Sequence, residues 1–159
     1  MEKDKLQEFT RRVTQASRTE LIVIMYDVIL ADTAAAREAL NQGDTGSYER
    51  ELKHAGRFVH ELMGALDYQY PIAHELLSLY SFLNKTIIRA CISHKAELLD
   101  AADEMVSKLR ETFAQVSAQD TSGPVMHNTQ QVYAGLTYGK NSLNESYLDP
   151  SGAKRGFMA

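Results

Sequence analysis

The chain has 159 residues, 17 Lys+Arg against 21 Asp+Glu for a net charge of -4, and 44% hydrophobic residues. That length suits one domain with an appendage, and that balance can bury a core, which excludes a disordered chain, a collagen-like chain and a small disulfide scaffold. A pI near 5.7 argues against sequence-independent binding to nucleic acid, which needs a basic surface.

In chain order, residues 1–14 carry charges around Leu6, Phe9 and Val13, a 3/4 spacing that predicts a short amphipathic helix. Residues 1–16 form this N-terminal segment. The start, MEKDKLQEF, is charged from its second residue and has no apolar h-region, so no signal peptide is expected and the chain reads as cytosolic. Ser17 and Glu20 then make a capping box that opens the first long helix. That helix runs to Asn41-Gln42 and stops at Gly43, which takes a left-handed C′ conformation most cheaply. It contains LIVIMYDVIL at 21–30, the longest apolar run, well short of the ~20 residues that span a bilayer. No membrane insertion is expected.

A second helix starts near Ser47 and carries Leu52, Ala55, Val59, Leu62 and Leu66 at 3/4 spacing. It ends before Pro71, because the residue preceding a proline avoids the helical region. Pro71 suits the first turn of a third helix with Ile72, Leu76, Leu79, Leu83, Ile87 and Ala90 as its main stripe. Cys91-Ile92-Ser93-His94 reads as a break with Ser93 as the next cap, and the single cysteine as a buried, inert thiol. A fourth helix shows Leu98, Ala102, Met105, Leu109, Thr112 and Val116. Short connections place neighbours antiparallel, so residues 17–117 make an all-α, up-and-down four-helix bundle.

Residues 118–159 form a Gly/Asn/Ser-rich tail outside the bundle. Val132, Tyr133, Leu136, Tyr138, Leu143, Tyr147, Leu148 and Phe157 punctuate it, which suits docking better than solvation. The expectation is a segment that covers apolar bundle surface and competes, as a tethered ligand, for a partner's groove.

Catalytic motifs are largely missing. No HExxH or clustered Cys/His set supports zinc, the paired ExxH motifs of di-iron bundles do not occur, and no cofactor is implied. Gly135 to Asn141 has the wrong spacing for a phosphate loop. The one enzyme-like reading is histidine phosphotransfer, since His54 stands among Lys53, Gly56 and Arg57. A solvated histidine on the polar face of the second helix is the preferred reading, with no catalytic residue and no metal ligand.

The first long helix is too apolar for an outer bundle helix, which needs a stripe of a little over about 100°. Leu21, Met25, Val28 and Asp32 define one stripe, and Ile22, Tyr26, Ile29 and Thr33 a second beside it. The third helix repeats the excess with Ala73, Leu77, Tyr80 and Ile88. One core does not bury both stripes of both helices, so either the chain's own ends or another polypeptide covers the surplus.

The run VTQASRTELIVIMYDVIL, followed by AREALNQGD, HELMGALD, LYSFLNKTIIRACI and LLDAADEMVSKLRETF, resembles the flagellar export chaperone family FliS over residues 9 to 117. Its sharpest motifs are Ala16, Ser17, Glu20 and Leu21 at the helix opening, the Tyr26-Asp27 pair, and the stretch Glu61 to Asp67. Three departures stand out: Arg18 where the family has proline, Val28 where it has glycine, and Phe9 where it has tyrosine. The resemblance implies a cytoplasmic, non-enzymatic bundle. Such a bundle holds the disordered C-terminal segment of flagellin, prevents premature polymerisation and delivers flagellin to the type III export gate. Regulatory proteins are further partners in this reading, and a homodimer stays open. The residues expected to bind the partner are Phe9, Val13, Ile22, Tyr26, Ile29, Leu77, Tyr80 and Ile88. The alternative is an adaptor for another export or regulatory partner, with phosphotransfer by His54 a distant third.

Overall fold

A computed structural model describes residues 3–126, with side chains from residue 7 onward. The tail residues from 127, and with them the expected docking residues Val132 to Phe157, lie outside the described residues. Five helices follow one another: α1 Lys3–Gln15, α2 Arg18–Asn41, α3 Thr45–Gly64, α4 Ile72–Ser93 and α5 Asp100–Ser117. A 3-10 turn, Ala96–Leu99, precedes α5. The fold is an all-helical bundle, and among the described residues no helix is long and apolar enough to cross a membrane.

The ends of these helices follow from local chemistry. Ser17 is extended and its side chain accepts the Glu20 backbone N–H, which satisfies one of the orphan donors of α2. Gly43 takes φ +77 just past the end of α2, a conformation cheap only without a Cβ. Asp44 accepts the Ser47 backbone N–H at 2.9 Å, so α3 begins two residues before Ser47, because the carboxylate upstream is already a good cap. Pro71 stands at the mouth of α4 with helical φ. The expected break at Cys91–His94 is displaced. Helix α4 continues through Ser93, whose hydroxyl donates to the Arg89 carbonyl, and His94 takes the left-handed position. The His94 ring rests against Tyr48, 5.7 Å between centroids.

Helix α2 is the central element. It packs against α3 on one side and α5 on another, α4 packs on α3, and α4 makes little direct contact with α5. The core gathers Tyr26 and Ile29 of α2, Leu52 and Val59 of α3, Tyr80, Leu83 and Ile87 of α4, and Ala102 and Val106 of α5. A second cluster, Ala16, Ile24 and Val28, is covered by Phe9 and Val13 of α1. Ion pairs fix the outer helices to α2. Asp27 accepts from Arg12 of α1 at 2.7 Å and from Arg110 of α5 at 2.5 Å. At the other end, Arg37 reaches Asp100, Asp103 and the Ala96 carbonyl. After α5 the chain returns to the α1–α2 junction, where Val125 N–H donates to the Ala16 carbonyl at 3.0 Å and Thr19 bonds Asp120.

Candidate partner-binding grooves

The apolar excess of α2 is largely absorbed within the fold. Because α1, α3 and α5 surround it, Val23, Ile24, Tyr26, Val28 and Ile29 are all buried. The excess of α4 is not. Helix α4 leans on α3, so its buried face is Ala73, Tyr80, Leu83, Ile87 and Ala90, which keeps Leu83, Ile87 and Ala90 of the stripe expected from spacing and departs from it in the N-terminal half. Ile72 and Leu79 of that stripe are exposed instead, at 59% and 38%, together with Phe82 at 49%.

The residues expected to meet the partner fall into core and surface positions. Tyr26, Ile29 and Tyr80 are core residues. Tyr26 and Ile29 line none of the clefts described below, and Tyr80, almost fully buried, contributes to the floor of the cleft that Ile22 lines. The Tyr26 and Tyr80 hydroxyls meet at 2.5 Å inside the core, and burial raises both hydroxyl pKa values. Phe9 and Val13 are half-buried and lie on α2. Ile22 is half-buried but lines a surface cleft. Leu77 is half-buried, and Ile88 is exposed on the α3 flank of α4.

Where α4 and α5 part, three clefts follow one another. The first, about 250 Å³, is lined by Ile22, Leu66, Tyr70, Ile72, Leu76 and Phe113. The second, about 380 Å³, lies among Leu79, Met105 and Leu109, with Glu104 and Lys108 on its rim. The third, about 180 Å³, lies between Phe82 and Thr86 of α4 and Leu98 and Ala101 by the start of α5. Ala101 belongs to the last two, and Leu76 and Leu79 lie one turn apart. From Ile72 to Thr86 the groove runs about 20 Å along α4, the length of a helix of some fourteen residues. Spacing alone gave Met105 and Leu109 as core. Both do pack on the core, half-buried, and what also turns them to the groove is the sparse α4–α5 packing, which no local pattern records.

The polar features are structural in kind. His54 is not a solvated histidine, because its Nδ1 lies 2.6 Å from Asp32 Oδ2 and its ring meets Phe58 edge-on. Asp32 is buried, and its second oxygen, Oδ1, has no hydrogen-bond partner among the described residues. Burial pushes the Asp32 carboxyl up to about 6, His54 pulls it down in part, and the neighbouring Glu51 charge raises it. Among the described residues no three ligating side chains converge on a metal position. Cys91 is half-buried rather than buried, with burial raising its thiol pKa.

The model of one family, described as flagellar protein FliS, matches residues 2–120. No curated protein matches the chain.

Proposed function

The chain belongs to the FliS family of flagellar chaperones, and on that premise we propose that it holds the disordered C-terminal segment of flagellin in the groove between α4 and α5. The observation that carries this reading is the apolar groove itself: about 20 Å long, walled by Leu79, Phe82, Met105 and Leu109, and filled by no helix among the described residues. A helix with apolar residues at i, i+4 and i+7 is the natural occupant of such a groove. Each large apolar side chain buried there contributes about 1.5–3 kcal/mol before the client pays for its ordering. Holding that segment blocks flagellin polymerisation in the cytoplasm and keeps it ready for the type III export gate. No catalytic step belongs to this function. His54, half-buried and paired with Asp32, gives phosphotransfer no support.

The test is the affinity for a synthetic flagellin C-terminal peptide, measured by calorimetry. Leu79→Asp and Met105→Asp each place an unpaired charge on the groove wall, where a docked helix would desolvate it. Affinity should fall at least about tenfold, or 1.4 kcal/mol, with the helical signal intact. Unchanged affinity in both folded variants removes the groove from the client site.

A further inference from the structure

We propose that the opposite flank of α4, where it meets α3, is a second docking surface, for an acidic amphipathic helix. Ile88 and Ile92 stand exposed there, at 48% and 75%, over a cleft of about 330 Å³ floored by Leu52, Ile87 and Cys91. At 3.6 residues per turn, Ile88 lies about half a turn around α4 from Leu79, and Ile92 about 140° from Leu79 and about 80° from Phe82. The two surfaces therefore open on different sides of one helix, and this one goes beyond the flagellin groove.

The far wall selects the partner. Lys53, Arg57 and His60 stand on successive turns of α3 and rim the cleft. Arg57 is exposed and makes no ion pair or hydrogen bond among the described residues, while Lys53 pairs only with Glu49. Between these cations, a Cβ at Gly56 would meet no atom within 4 Å, so the partner's backbone can come close to α3. On a chain of net charge -4, this is a local cationic rim around an apolar floor. The matching ligand is a helix of two or three turns, with leucine-like residues on one face and carboxylates along its edge. A second copy of this chain fits poorly, because a two-fold contact would set the same cations against each other. An anionic bilayer wants a larger basic cluster, about four to eight Lys/Arg.

The experiment uses the full chain and a fluorescein-labelled 18-residue helical probe with a leucine seam flanked by glutamates, read by anisotropy. A second probe has every glutamate replaced by lysine. The acidic probe should bind at least tenfold more tightly than the basic one and weaken as salt is raised from 50 to 300 mM. Lys53→Glu/Arg57→Glu should lose at least tenfold for the acidic probe and gain for the basic one. Ile92→Asp should weaken the acidic probe, while Leu79→Asp should leave it unchanged. That last variant separates this proposal from the flagellin groove, since each site can fail while the other holds. Equal binding of the two probes overturns the proposal, as does loss of the acidic probe in Leu79→Asp. Self-association abolished by Ile92→Asp would assign the flank to a second copy and overturn it equally.

Discussion

Replacing Tyr26 and Tyr80 by phenylalanine, singly and together, tests whether these rings belong to the core or to a partner. Both rings are buried and their hydroxyls bond each other at 2.5 Å, with Phe113 5.7 Å from the Tyr26 ring. One hydroxyl donates and the other accepts, so Tyr26→Phe strips Tyr80 of its partner in a place that water does not reach. An unpaired buried hydroxyl costs about 1–3 kcal/mol. Removing both hydroxyls leaves two rings that pack as before, and the double variant should stay within about 1 kcal/mol of the parent. The two single variants together then cost about 2–6 kcal/mol against at most about 1 for the double, a coupling of at least about 1 kcal/mol and well above the few tenths expected of independent sites. Urea denaturation followed by circular dichroism supplies the four free energies. Binding of the flagellin peptide, measured where all four proteins are folded, should not move by more than about twofold. Additive single effects would refute the buried pair. A tenfold loss of peptide affinity at unchanged stability would put the hydroxyls at the partner instead.

Asp32→Asn tests the buried carboxyl at the α2–α3 interface. The folded protein holds the Asp32 proton up to about pH 6, against an ordinary value of 3.8. Between those values the native state binds more protons than the unfolded chain, so this group's contribution to stability falls as pH rises. The stability of the parent minus that of the variant should drop by roughly 2 kcal/mol from pH 4 to pH 7; parallel curves would refute it. Asp27→Ala removes the carboxylate that Arg12 and Arg110 share, and the charge-assisted bonds lost should cost about 1.5–3 kcal/mol. Hydrogen exchange should rise first in α1, which has few other ties to α2. Unchanged protection there would show that Phe9 and Val13 hold α1 alone.

Helix ends were legible in the sequence because they depend on atoms within a few residues. Ser17 caps by its own hydroxyl, Gly43 turns by lacking a Cβ, and Pro71 fixes its own φ. The buried stripe of α3, from Leu52 to Leu62, was equally legible, because that helix has polar residues around the rest of its circumference. The family motifs also have their reason in the fold: Tyr26 bonds Tyr80 in the core while the adjacent Asp27 gathers Arg12 and Arg110.

Tertiary structure decided what periodicity leaves open. A helix apolar on two adjoining stripes does not say which stripe meets a neighbour. For α2 the answer is nearly all of it, since three helices surround it. On α4 the buried face is set by its lean on α3, which sends Tyr80 inward and Ile72 and Leu79 out. His54 shows the same limit for polar groups. Its sequence neighbours Lys53 and Arg57 are exposed, yet Asp32, 22 residues earlier, reaches its ring. A chain pattern gives the angle at which a side chain leaves its own helix. Only the packing of helices gives what stands opposite, and both the groove and the core lie in that second term.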